Sequence, residues 1–130
     1  MKSQIYLLTA LLALSLAGCE SDTSGLSQEQ DQSMLNLKLT EIVNLAESVI
    51  CEDSSNWTFT GIGGKACGGP TGYLAYSTTI NVENFLLMVE EFNVAEANFN
   101  KKWGVISDCM TPAQPIGIDC INGKAVLIFP

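Results

Sequence analysis

The sequence contains no histidine and no arginine, and its six basic residues are all lysines, set against fourteen aspartates and glutamates. Without histidine, the Ser-His-Asp and Cys-His catalytic arrangements and the usual imidazole metal ligands are excluded. Nucleic-acid binding needs clustered basic residues, and the only adjacent pair here is Lys101-Lys102. The composition therefore predicts no nucleic-acid partner, and it indicates neither a cofactor nor a metal site; the EF-hand pattern for calcium is also missing.

Long apolar runs are also scarce, and the one at the start of the chain is short. Ile5 to Leu16 is about a dozen residues, whereas crossing a bilayer needs roughly twenty. Lys2 precedes this run and Ala17-Gly18 follows it, directly before Cys19. The pattern resembles a bacterial lipobox, in which the cysteine thiol accepts a lipid and becomes the new N-terminus. The alternatives are an ordinary signal peptide cut nearby and an uncleaved anchor.

The lipobox resemblance implies a signal peptide at residues 1–18, an acylated (palmitate-bearing) Cys19 and a location in the cell envelope at the outer membrane. Removing 18 of the 130 residues leaves 112, enough for one domain. Lys2 leaves with the signal, so the formal charge moves from −8 to about −9. Because an acidic surface is repelled by anionic headgroups, the lipid has to supply the membrane attachment.

Four further cysteines remain, and their even number in an exported chain predicts two disulfides. They are Cys51, Cys67, Cys109 and Cys120. A zinc site is the alternative, but structural zinc usually takes close Cys-x-x-Cys pairs, and the nearest two here are eleven apart. Four cysteines allow three pairings. Spacing favours neighbours, which would join Cys51 to Cys67 and Cys109 to Cys120.

The first part of the mature chain is polar and the rest is patterned. Residues 19–33 hold too few apolar side chains to fold alone, so we expect a flexible tether. Residues 34–130 would then form a single domain. Its first helix has apolar residues at helical spacing from Met34 to near Cys51, with Ser27 or Ser33 as possible caps.

Two strands, a second helix and a β-hairpin are indicated downstream. Trp57 to Ile62 and Tyr73 to Ile80 are typical of strands. Asn81 is a suitable cap for a second helix, which Gly104 would end. Asn122-Gly123 is the signature of a two-residue hairpin turn.

The hairpin turn sets a register and a fold class. It places Cys120 opposite Ala125 and Ile118 opposite Leu127, on a face that we expect to meet the helices. The order of elements predicts an α+β domain with two helices packed on a small antiparallel sheet and two disulfides.

The segment Gly61 to Gly72 is rich in glycine. A phosphate-binding P-loop would need glycine where Phe59 stands and serine or threonine where Ala66 stands. The glycines are therefore better explained by tight turns around a disulfide. So little side chain surrounds Lys65 that we expect it to be exposed.

Several motifs in this region occur together. The block Lys65-Ala66-Cys67-Gly68-Gly69-Pro70, the strand end Tyr76-Ser77 and the later Ser107-Asp108-Cys109 resemble a family of small exported bacterial proteins and lipoproteins. The resemblance covers roughly residues 50 to 121. The family has no established activity, so the resemblance implies export and paired cysteines but no catalytic residue.

Three functional hypotheses follow. The first is a lipid-anchored envelope protein with a binding or structural role and an envelope or extracellular protein partner. The second is a protease-inhibitor-like module whose Gly61 to Gly72 loop presents Lys65, flanked by Gly68, Gly69 and Pro70, to a Lys-directed protease. The third is an envelope hydrolase that uses paired carboxylates. Its candidate residues are Glu83, Glu90, Glu91, Glu96, Asp108 and Asp119, and nothing selects a pair among them.

Overall fold

A computed structural model describes residues 25–130, so the predicted signal peptide, Cys19 and the first part of the tether lie outside the described residues. The elements are helix α1 (Gln28–Ala46), a 3-10 turn (Ser54–Asn56), strands β1 (Trp57–Ile62) and β2 (Gly72–Ser77), helix α2 (Val82–Lys102), and strands β3 (Gly117–Ile121) and β4 (Lys124–Ile128). The predicted α+β class is confirmed. Within the described range, no helix combines the length and the apolar character needed to cross a bilayer.

Helix α1 begins earlier than predicted, so the predicted tether of residues 19–33 is too long. Ser27 Oγ accepts a hydrogen bond from the Gln30 N–H, and the Gln30 side chain accepts one from the Ser27 N–H. This reciprocal pair satisfies two groups that a helix start otherwise leaves without partners. Ser27, rather than Ser33, is therefore the cap, and residues 28–33 belong to the helix.

The first turns of α1 are also tied to the end of α2. Asp31 Oδ2 lies 2.6 Å from Lys102 Nζ and accepts a 3.0 Å hydrogen bond from Trp103 Nε1. The hydrogen bond from Lys102, followed by that from Trp103, lowers the pKa of Asp31. Polar residues at the start of α1 thus contribute to the tertiary structure although they bury little apolar surface.

Helix α2 has the predicted ends. The Asn81 side chain accepts a hydrogen bond from the Asn84 N–H, and Gly104 follows the helix with φ +64°. The two helices pack on each other and on one face of the β1–β2 hairpin. The buried core is Leu35, Ile42, Ala46, Tyr76, Phe85, Val89, Phe92 and Phe99. Ile62 and Leu74 pack against it from the strands.

The second hairpin has the predicted turn and register. Asn122 and Gly123 both have positive φ, +51° and +77°, as a type I′ turn requires. Cys120 pairs with Ala125 and Ile118 with Leu127. However, β3 and β4 do not join β1 and β2 in one sheet; the four strands form two separate two-stranded sheets.

The prediction that this hairpin meets the helices is wrong, because β3 and β4 lie chiefly against β1 and β2. The reason lies in β2, which is apolar on both faces. Leu74 and Tyr76 face the helical core, whereas Tyr73 and Ala75 point to the opposite side. The domain therefore has three layers, with the β1–β2 hairpin between the helices and the β3–β4 hairpin.

The four cysteines form two disulfides, as predicted, but the neighbour pairing is wrong. Cys51 bonds to Cys120 and Cys67 bonds to Cys109. The bridges span 69 and 42 residues, and the second lies wholly inside the first. Short spacing is a poor guide here because the β3–β4 hairpin folds back across the domain and brings Cys120 to the end of α1.

Candidate binding cleft

The glycine loop, Gly61 to Gly72, is fastened to helix α2. The Gly63 N–H donates to Asn93 Oδ1 and the Gly64 N–H to Glu96 Oε2, each at 2.7 Å. Asn100 Nδ2 donates to the Gly64 carbonyl oxygen, also at 2.7 Å. Because these three α2 side chains are spaced three or four residues apart, they lie along one face of the helix. That face holds the loop backbone.

At two positions in the loop, a side chain larger than that of glycine would clash with neighbouring atoms. A Cβ on Gly64 would lie 2.0 Å from the Asn93 carbonyl oxygen, which is a helix backbone atom. Gly63 has φ +89°, and a Cβ there would lie 1.8 Å from Thr71 Oγ1. These contacts support the structural explanation of the glycines, which allow the loop backbone to lie directly on α2.

The prediction that Lys65 is exposed is wrong. Its side chain is only 14% exposed, and its Nζ lies 3.0 Å from Asp108 Oδ1. Nζ also donates to the Met110 carbonyl oxygen. The ammonium group therefore binds the segment that carries Cys109 and is not presented to a protease pocket. Gly68 and Gly69 are exposed and Pro70 is half-buried, so the outer part of the loop offers almost no side chain to a partner.

This contact gives a first testable prediction. The hydrogen bond from Lys65, together with one from the Met110 N–H, lowers the pKa of Asp108. Since the folded-state pKa is depressed, the contact stabilises the fold above the unfolded-state value of about 3.9 and is lost as the pH falls through the folded-state pKa. Replacing Lys65 with methionine should raise the pKa of Asp108 towards its ordinary value in a carboxyl ¹³C NMR titration.

Asp53 is the internal control for that titration. Its pKa is lowered by hydrogen bonds from Ser55 and does not involve Lys65. It should keep the same pKa in the Lys65→Met protein. An unchanged Asp108 titration in that variant would show that the ammonium contact does not form in solution.

The candidate carboxylates of the hydrolase hypothesis are not gathered at one place. Glu96 accepts from the Gly64 N–H, and Asp108 contacts Lys65. The other four, Glu83, Glu90, Glu91 and Asp119, are exposed on α2 and β3. In residues 25–130, no group of three acidic, cysteine or histidine side chains is close enough to hold a metal ion.

A large cavity of the described domain lies elsewhere, between the two hairpins. Three of the four aromatic side chains of the β1–β2 hairpin, Trp57, Phe59 and Tyr73, point away from the helices. Phe59 and Tyr73 meet edge to face at 5.9 Å. The β3–β4 hairpin covers this face incompletely. Ile118 and Leu127 on its inner side are only half-buried. The space between the two hairpins is therefore less tightly packed than the core between the helices and the β1–β2 hairpin.

The opening is a cleft of about 650 Å³, which we call the hairpin cleft. Its lining is mainly apolar, with Glu47 and Lys124 as its charged residues. The lining comprises Ala46, Glu47, Val49, Ile50, Trp57, Tyr73, Leu74, Ala75, Asn122, Gly123, Lys124, Ala125, Val126, Leu127 and Phe129. This volume is in the range of small-molecule and side-chain binding pockets, generally about 300 to 1,000 Å³.

Covalent and backbone bonds hold the walls of the hairpin cleft together. The Cys51–Cys120 disulfide joins the segment after α1 to β3. The Cys51 N–H donates to the Gly123 carbonyl oxygen at 2.9 Å. A cleft whose walls are cross-linked loses little conformational freedom when a ligand binds.

None of the residues proposed from the sequence as a binding loop lines this cleft. One signal in the sequence could have indicated it: Tyr73 and Ala75 alternate with Leu74 and Tyr76, so both faces of β2 are apolar. Such a strand needs a layer on each side. Among residues 25–130, the β3–β4 hairpin supplies this second layer and leaves the cleft open.

Comparisons of the chain with protein-family models, with curated proteins and with solved structures found no match. The resemblance to exported proteins with a Lys-x-Cys-Gly-Gly-Pro block therefore stays a prediction.

Proposed function

We propose that this chain is a lipid-anchored binding protein of the bacterial cell envelope and that its hairpin cleft holds an apolar group of its ligand. The observation that carries the proposal is the cleft itself: about 650 Å³, mainly apolar, and held by a disulfide. Apolar pockets with few charged groups are the usual form of ligand sites. The glycine loop is the less suitable site, since its polar groups bind α2 and the Asp108 segment.

The anchor is supported by the sequence pattern that ends in Cys19. The two disulfides agree with an exported protein, because such bonds persist in oxidising compartments. Mass spectrometry of the membrane fraction should find an acylated N-terminal Cys19, and a Cys19→Ser protein should leave that fraction. A mature wild-type protein with unmodified Cys19, or one cut at another site, would contradict the anchor.

The cleft can be tested with the neutral dye Nile red, whose emission rises in apolar surroundings. Binding should also change the fluorescence of Trp57, which lines the cleft. Ala125→Phe places a ring in the cleft and should weaken dye binding at least about tenfold, equivalent to about 1.4 kcal/mol. The matched control is Ala113→Phe at an exposed loop position outside the cleft.

Equal dye affinity in the two variants and the wild type would place dye binding outside the cleft and contradict the proposal. Far-ultraviolet circular dichroism and melting curves of both variants would show that a loss of binding is not a loss of fold.

A further inference from the structure

The backbone edge of β4 borders the hairpin cleft and carries groups without a strand partner. In a two-residue hairpin, the residues flanking the turn form a hydrogen-bonded pair, here Ile121 and Lys124. Pairs then alternate along the ladder, so Ala125 and Leu127 lie in pairs that do not hydrogen-bond. Their N–H and C=O groups therefore point away from β3.

No other strand of the described domain uses these groups. Among residues 25–130, no backbone hydrogen bond outside the β3–β4 ladder involves Ala125 or Leu127. Both residues also line the cleft. The same place therefore offers a row of unpaired backbone donors and acceptors and an apolar space beside it.

The second strand that borders the cleft is less accessible. The Thr78 N–H donates to the Asn56 carbonyl oxygen, so residues 56 and 78 form a hydrogen-bonded pair. Pairs alternate along the β1–β2 ladder, so the backbone groups of Tyr73 and Ala75 on β2 also point away from β1. However, β2 lies between two layers and ends in the buried residues Tyr76 and Ser77. In β4 no residue is buried.

The β4 edge also lacks the features that usually protect an edge strand. Proteins block such edges with charges, prolines or bulges. Strand β4 has one charged residue, Lys124 at its start, and then the apolar run Ala125 to Ile128. Val126 and Ile128 are about 40% exposed on its outer face. An added strand would cover apolar residues on both faces of the hairpin.

We propose that the ligand of the hairpin cleft is an extended peptide segment of a partner protein, which adds to β4 as a fifth strand and places alternate apolar side chains in the cleft. This inference rests on the proposed function of the cleft. Main-chain hydrogen bonds supply affinity in such strand addition, and pockets for alternate side chains supply specificity. Because the chain has a net charge of −8, basic residues flanking the peptide would favour association.

The test uses a synthetic peptide of alternating valine and threonine with two lysines at each end. Two versions carry N-methyl groups, one on the valines and one on the threonines, which changes backbone pairing but not side-chain sequence. In an added strand only one set of N–H groups faces β4. One methylated version should therefore lose at least about tenfold in affinity by isothermal titration calorimetry, and the other should bind like the parent peptide.

Two proline variants show which strand edge pairs with the peptide. Ala125→Pro removes an N–H that points away from β3, a position where proline is tolerated at a strand edge. Ala75→Pro does the same on β2. Because both alanines line the cleft, the peptide affinity of each variant is compared with its own Nile red affinity, which measures any change in the cleft itself. The ratio of peptide affinity to dye affinity should fall at least about tenfold in Ala125→Pro and stay near the wild-type ratio in Ala75→Pro. Melting curves show whether each variant is folded.

The outcomes separate this inference from the proposed function. Equal binding of all three peptides, or a loss of peptide affinity confined to Ala75→Pro, would contradict pairing of the peptide with β4. Dye binding in the same proteins would still support the cleft as a binding site. Dimerisation in sedimentation equilibrium that Ala125→Pro abolishes would assign the edge to a second copy and also overturn the inference. If the protein bound neither the dye nor the peptides, the proposed function of the cleft would itself be contradicted.

Discussion

Replacing Gly64 with alanine is expected to destabilise the domain by at least about 3 kcal/mol, the upper end of typical overpacking costs. The added Cβ would lie 2.0 Å from the Asn93 carbonyl oxygen and 2.8 Å from the Ala97 amide nitrogen. Both are backbone atoms inside α2, so no side-chain rotation can relieve the clash. The loop would have to leave the helix and lose its hydrogen bonds to Glu96 and Asn100. Urea denaturation measures the loss.

Gly72→Ala is the matched control. A Cβ at that position meets no atom within 4 Å, and its φ lies outside the left-handed region. The change should stay within about 1 kcal/mol, since replacing a permissive glycine also restricts the unfolded chain. A Gly64→Ala protein as stable as Gly72→Ala would contradict the close approach of the loop to α2.

Removing the Cys51–Cys120 disulfide should have the second large effect. Replacing both cysteines with alanine should reduce the free energy of unfolding by roughly 3 to 4 kcal/mol, because the bridge closes a long ring in the unfolded chain. Cys51 is also buried, and its bridge holds one wall of the hairpin cleft. Nile red affinity should therefore fall together with the melting temperature.

The other bridge is the comparison. Both sulfurs of Cys67–Cys109 belong to exposed residues away from the cleft. The double alanine variant at these positions should lose a similar amount of stability but keep dye binding at temperatures where it is folded. If only this variant lost dye binding, the Cys67–Cys109 bridge, and not the Cys51–Cys120 bridge, would be the one that maintains the cleft.

Local patterns in the sequence were sufficient for most elements. Trp57 to Ile62 is a strand because aromatic and β-branched residues suit a pleated surface, and Asn122-Gly123 determines a register because few other residues accept two positive φ values. Helix α2 has its predicted ends because Asn81 and Gly104 act within one turn of it. Each of these features depends on residues close together in the chain.

Features that depend on distant residues were not predicted. The bond of Cys51 to Cys120 requires the path of the whole chain between them, and sequence spacing contains no information on that path. Lys65 is covered because Asp108, 43 residues later, lies beside it. The hairpin cleft likewise arises from how two hairpins stack, which the composition of either hairpin does not determine.

The start of α1 differs from the prediction for another reason. The residues after Ser27 are polar, and in the sequence alone this polarity favours a flexible segment. In the folded domain Asp31 contacts Lys102 and Trp103 on α2, so a polar turn is held by specific hydrogen bonds. The lesson is that a capping box can outweigh a lack of apolar residues at a helix start.

The Cys67–Cys109 bridge lies within the ring that the Cys51–Cys120 bridge closes. The stabilisation by each bridge therefore depends on whether the other is present. With the inner bridge closed, the path from Cys51 to Cys120 shortens from 69 residues to about 27, because 42 of them are bypassed. Loop-closure entropy grows with the logarithm of length, so the second bond restricts the unfolded chain by about 0.8 kcal/mol less than it would alone. Removing both bridges should therefore cost more than the two single removals added together. Side-by-side rings, such as neighbour pairing would form, would show no such coupling.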